Sequence, residues 1–140
     1  GADIVTDTNM ALAGINKRAL ARHGGEAHCF MADEKVAALA KERGVTRATV
    51  SMEFAAQLNK PVIFAVGNAP TALIRLYEMI AGGEFRPAFI IGVPVGFVNV
   101  EAAKELILKT DVPYIINRGR KGGSNVAAAI CNALLYELGR

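Results

Sequence analysis

The sequence predicts an α/β fold: a three-layer α/β/α domain, doubly wound on a mostly parallel sheet. Three observations carry this. Three apolar runs share one form, each opened by a proline and closed by a glycine or a polar turn: Val62–Val66 after Lys60-Pro61, Ala88–Ile91 after Arg86-Pro87, and Tyr114–Ile116 after Val112-Pro113. None alternates between apolar and polar residues, as expected of strands covered on both faces. Helical stretches lie between them, and that alternation demands right-handed crossovers, which bring every strand-to-helix loop to one edge of the sheet.

Asp3-Ile4-Val5-Thr6 reads as a core strand, and a chain that opens inside its first strand is expected to have sequence upstream. A short helix is expected to end at Arg22-His23-Gly24-Gly25, and Glu26–Phe30 reads as a strand. Asp33–Glu42 carries Val36, Leu39 and Ala40 at helical spacing. Thr46 can cap a helix running to about Leu58, with Val50, Phe54 and Leu58 on one stripe. Ala69–Ala81 holds Pro70 in its first turn, where a missing N–H is harmless, and ends at Gly82-Gly83. Val100–Lys109 and Ser124–Leu138, the latter capped by Ser124, complete the set. No linker or low-complexity tract divides the chain, so residues 1–140 are expected to form a single α/β domain.

With 52% hydrophobic and 21% charged residues, the chain can build one substantial core. A net charge of +3 supplies no broad basic surface, which argues against nucleic acid as a partner. The longest apolar stretch, Pro87–Val100, is too short to span a bilayer and is broken by Gly92, Pro94 and Gly96. Cys29 and Cys131 sit in apolar surroundings and read as reduced core thiols of a cytoplasmic protein.

In such sheets ligands bind beyond the carboxyl ends of the strands. Four loops converge there: Asp7–Met10, Gly67–Thr71, Gly92–Phe97 and Asn117–Asn125. Three of them carry glycine, which admits close backbone approach, and all but Gly92–Phe97 set polar residues at a helix start, where free N–H groups favour anions. The last loop sets Arg118, Arg120 and Lys121 among three glycines, and reads as a carboxylate or phosphate clamp more readily than as a solvated turn. Phosphate-loop, dinucleotide and nucleophile-elbow motifs are missing, and no His/Cys/Asp cluster has metal-ligand spacing. His23 and His28 read as structural, with no carboxylate expected to orient either. Asp7 is expected to cap the turn that follows it, Asn68 to cap the helix at Pro70, and Glu53 to face solvent or pair locally.

Four co-linear blocks resemble the precorrin-8X methylmutase family: Asp7–Lys17, Gly67–Leu73, Gly92–Val98 and Arg118–Ser124. The resemblance covers essentially the whole chain. It implies methyl migration from C11 to C12 of precorrin-8X or cobalt-precorrin-8, in a homodimer whose tetrapyrrole pocket lies at the interface. No cofactor is implied, cobalt entering only as part of the substrate, and the wording of Asp7–Met10 and Gly14–Lys17 is closer to the branch that carries it. The resemblance matches Arg47 and Asn16 to cavity residues. With the loops it nominates Asn9, Gly14, Asn16, Lys17, Arg47, Asn68, Thr71, Arg118, Arg120 and Ser124 as substrate-binding. It places the proton-donor histidine upstream of the first strand, so no catalytic residue is assigned here and this chain alone is expected to be inactive. Two other readings remain open: a nucleotide- or sugar-phosphate-binding domain, and a non-catalytic corrinoid-binding fragment.

Overall fold

The structure, a computed structural model, describes residues 2–94, 100–116 and 123–138. Five strands lie in one parallel sheet: β1 (Asp3–Thr6), β2 (Ala27–Cys29), β3 (Val62–Val66), β4 (Phe89–Gly92) and β5 (Tyr114–Ile116), in the order β2-β1-β3-β4-β5. The strand order reverses between β1 and β3, which register Asp3 against Val62 and Thr6 against Ala65. A doubly wound sheet opens its ligand crevice at such a switch point.

The helices are α1 (Asn9–Gly14), α2 (Lys17–Arg22), α3 (Glu34–Arg43), α4 (Arg47–Ala55), α5 (Pro70–Ala81), α6 (Val100–Leu108) and α7 (Ser124–Leu138). One face of the sheet presents Val5, Val62, Phe64, Val66 and Ile90 to Met52 of α4, Leu73 and Leu76 of α5 and Ile107 of α6. The other presents Ile4, Ala65 and Ile91 to Leu20 of α2 and Ala127, Cys131 and Leu135 of α7. The three layers follow from β3 and β4, covered on both faces as expected, whereas β5, at the sheet edge, leaves Tyr114 and Ile115 exposed. α3 packs outside α4 through Val36, Ala40 and Val50, and closes on Gly44 at φ 67°, a left-handed turn that glycine adopts without strain.

Most expected elements are present, with three differences. Two short helices, α1 and α2, precede His23 where one was expected, the first capped by Thr8, which accepts the Ala11 amide at 3.0 Å, and the second by Asn16. α4 ends at Ala55, short of Leu58. α7 begins at Ser124, but the carbonyl of Gly123 accepts the Ala127 amide, so Gly123 stands at the cap position.

Candidate functional site at the carboxyl edge of the sheet

The chemistry of this edge is set by β1 and the two residues after it. Asp7 is 1% exposed, and its carboxylate crosses the switch point to the loop after β3. Oδ1 accepts the Gly67 amide at 2.8 Å, and Oδ2 accepts those of Asn68 at 2.7 Å and Ala69 at 2.6 Å. Burial raises the Asp7 carboxyl above its ordinary range, opposed by the pull of these amides. Asp7 therefore does not cap its own turn, as the sequence suggested; Thr8 does. Nor does Asn68 cap α5: Ala69 holds the cap position and no side chain fills the role. Asp7, the residue after β1, supplies the acceptor oxygens that this uncapped helix start needs.

Thr8 extends the array sideways. Its Oγ1 lies 2.7 Å from Ser124 Oγ, joining the starts of α1 and α7. The Gly123 amide donates to Val93 O at 2.8 Å, and the Val93 amide to Val66 O at 2.9 Å, so α7 is also fastened to the ends of β3 and β4. A Cβ on Gly67 would lie 2.6 Å from Ser124 Cα, so only glycine fits between loop and helix.

α4 starts beside α5. Thr46 caps α4 by accepting the Thr49 amide at 3.1 Å, and its hydroxyl donates to Thr71 Oγ1 at 3.1 Å. Arg47, the first residue of α4, is exposed at this junction.

The nominated residues thus divide. Asn9, Arg47, Asn68, Thr71 and Ser124 gather at the carboxyl edge, on helix starts or the loops that lead to them. Gly14, Asn16 and Lys17 lie at the α1–α2 corner, about two turns along α7, where each serves the local fold. Asn16 Oδ1 accepts the Ala19 amide at 3.0 Å, Asn132 Nδ2 donates to Gly14 O at 2.8 Å, and Lys17 Nζ donates to Leu12 O at 2.7 Å. Arg118 and Arg120 lie outside the described residues.

Sequence reasoning missed two polar clusters. His28 does have an orienting carboxylate: Nε2 lies 2.8 Å from Asp3 Oδ2, and the ring stacks on Phe30. Asp3 Oδ1 accepts Lys60 Nζ at 2.7 Å and the Glu26 amide at 3.0 Å, so one carboxylate joins the starts of three strands. Burial raises its pKa, but the Lys60 and His28 hydrogen bonds and the Glu26 amide outweigh this and bring it to about 2. Asp3, Glu26 and His28 also place potential metal-ligand atoms within 4.8 Å of one another, a cluster the spacing did not reveal. Lys60 already balances the Asp3 charge, and the group stands at the amino edge, away from the loops. Second, Glu53 pairs with Arg43 and, at 2.8 Å, with Arg75 Nε, tying α3, α4 and α5 together. Register could have suggested the first cluster, since residues 3, 26 and 28 fall on one face of neighbouring strands; nothing local in the sequence signals Arg75.

The family profile of precorrin-8X methylmutase matches residues 1–137. The chain belongs to that family. It is 48% identical over 136 residues to the cobalt-precorrin-8 methylmutase of Salmonella typhimurium, covering 96% of this chain and 63% of the relative. Identity to the enzyme of the same name from Priestia megaterium is 45% over 134 residues, covering 96% and 60%. The crystal structure of precorrin-8x methyl mutase from Thermus thermophilus superposes with a TM-score of 0.86 at 39% identity, covering 97% of this chain and 66% of that one. The chain spans about three fifths of the length of the curated relatives it matches.

Proposed function

We propose that this chain supplies the substrate-binding domain of a methylmutase that moves a methyl group from C11 to C12 of cobalt-precorrin-8 or precorrin-8X. The observation that carries the reading is the meeting of the α4, α5 and α7 starts at one sheet edge, in a chain matched by the family over nearly its whole length. A tetrapyrrole bearing several carboxylates around an apolar ring needs scattered cationic and hydrogen-bonding groups on apolar walls. Arg47 beside the Thr46 and Thr71 hydroxyls offers the first, with Asn9 exposed at the start of α1, Asn68 exposed before α5, and Ser124, bonded to Thr8, at the start of α7. Met10 at 65% exposure and Val126 at 40%, on the first turns of α1 and α7, offer the second.

Because Asp7 already consumes three amides before α5, carboxylate binding falls to the α4 start and its Arg47 rather than to α5. Arg118 and Arg120 belong to the same proposal as the clamp on the α7 side, and Gly14, Asn16 and Lys17 as contacts made from the α1–α2 corner. The cobalt-bearing substrate is favoured by the names of the relatives at 48% and 45% identity. The active unit is a cytoplasmic homodimer with the pocket at its interface; among the described residues no helix is long and apolar enough to cross a membrane, and both cysteines are free thiols. The reaction requires the ring to be held in shape and a proton delivered, so positioned groups suffice.

The test is an absorbance titration of the chain with cobyrinic acid, the cobalt corrin that the reaction would form. Saturable binding weakened about tenfold or more by Arg47→Ala supports the reading, on the scale of a lost charge-assisted hydrogen bond. Nucleotides that stabilise the fold while cobyrinic acid does not would replace it with the phosphate-binding alternative.

A further inference from the structure

We propose that Asp7 is the positioning residue of this pocket: its buried carboxylate holds the start of α5, and through it the start of α4, at the spacing that receives the ligand. The ligand's identity rests on the corrinoid reading above, whereas the holding rests on geometry alone. Three successive amides, Gly67, Asn68 and Ala69, converge on one carboxylate at 2.6–2.8 Å, in front of a helix with no side-chain cap of its own. Each bond fixes the peptide that carries it, so the loop's path is set by a residue 60 positions or more away. The path continues outward, because Thr71, in the first turn of α5, accepts the Thr46 hydroxyl, and Thr46 caps the helix that Arg47 begins. The loop is bounded by α7 as well, because backbone of Gly123 and Ser124 packs so close to Gly67 that a Cβ there would lie 2.6 Å from Ser124 Cα. The three amides are spent on Asp7, so Asp7 acts on binding through the groups it places.

Asp7→Asn keeps the size of the side chain but leaves one acceptor oxygen, and its amide nitrogen must then face a backbone N–H, donor against donor. In the whole chain, hydrogen exchange followed by NMR is expected to quicken at least tenfold at one or more of Gly67, Asn68 and Ala69. The interior amides of β1 and β4 should keep their protection. Cobyrinic acid should bind at least tenfold more weakly to the same folded variant, a loss that a purely structural role would not produce while the sheet stays protected. Unchanged exchange at the three amides overturns the holding, and quickened exchange with unchanged affinity overturns its part in binding. If the unmodified chain does not bind cobyrinic acid at all, the corrinoid reading fails, while quickened exchange still establishes the holding. Should the variant not fold, the unmodified chain decides. The amide proton shifts of Gly67, Asn68 and Ala69 should follow the titration of the Asp7 carboxyl carbon, and shifts that ignore it sink the proposal.

Discussion

Thr8 and Ser124 stand 116 residues apart in the chain and 2.7 Å apart in space, oxygen to oxygen. The bond joins the end of the first strand to the last helix, and the same Thr8 oxygen caps α1. Thr8→Val keeps the shape and removes both interactions. Loss of a cap and of a partly buried hydrogen bond is expected to cost about 1–2 kcal/mol in denaturant unfolding. Thr8→Ser should recover most of it, because the oxygen returns. Equal stability of Thr8→Val and the unmodified chain would show that water replaces the oxygen at no cost.

At the amino edge, stability should depend on acid through Asp3. Its pKa lies at about 2 against an ordinary 3.8, below its unfolded value, so the stabilisation is complete above the ordinary value and lost as pH falls toward 2. The size is about 2 kcal/mol, since each unit of pKa is worth roughly 1.4 kcal/mol. Unfolding free energies measured between pH 5 and pH 2.5 should fall less steeply for Asp3→Asn than for the unmodified chain. Parallel curves would mean that other carboxylates govern the acid limb.

Much of this architecture is legible in the sequence because parallel strands leave a local signature: continuous apolar runs, a proline at the entrance and a glycine or polar turn at the exit. The helices at Thr46 and Pro70 are legible for the same reason, since cap and first-turn residues sit beside the segments they begin. The polar joints are not. Asp7 reads locally as a cap for its own turn, yet its partners lie some 60 residues on, and only the pairing of β1 with β3 brings them within reach. His28 lacks an obvious carboxylate until β1 and β2 pair and set Asp3 beside it. Asn16 and Lys17 carry polar groups in a loop-like stretch, but helix ends nearby take up those groups.

Asn68 illustrates the difference between a sequence cap and a structural one. It is exposed, and its backbone amide, not its side chain, makes the bond to Asp7. Asn68→Leu should therefore shift stability by no more than about 0.5 kcal/mol, the range of ordinary surface changes, instead of the roughly 1 kcal/mol that a lost cap costs. Asp7→Ala should cost more than about 3 kcal/mol, because it strands three backbone donors in a buried place. Urea unfolding of both variants beside the unmodified chain checks the contrast. A larger loss for Asn68→Leu than for Asp7→Ala would return the cap to Asn68.

Gly67 joins the two halves of the site, and its substitution tests whether the joint is rigid. The residue is buried between Asp7, which takes its amide, and the start of α7. A methyl group there would meet Ser124 Cα at 2.6 Å, Ser124 N at 2.7 Å and Gly123 C at 2.8 Å, all backbone atoms that no rotamer change can move. Either the loop shifts, straining three hydrogen bonds to Asp7, or α7 shifts, straining the bond between Ser124 and Thr8. Overpacking of this kind typically costs about 1–3 kcal/mol. Gly67→Ala is therefore expected to unfold at lower urea with an unchanged slope, and to bind cobyrinic acid more weakly than its stability loss alone explains. Gly83→Ala makes the informative comparison. That glycine stands in open space at φ 72°, so its cost is backbone strain alone, at the far end of α5, and affinity should not change. If the two variants lose equal stability and neither loses affinity, the joint at Gly67 yields, and the loops at this edge are set by something other than their packing on α7.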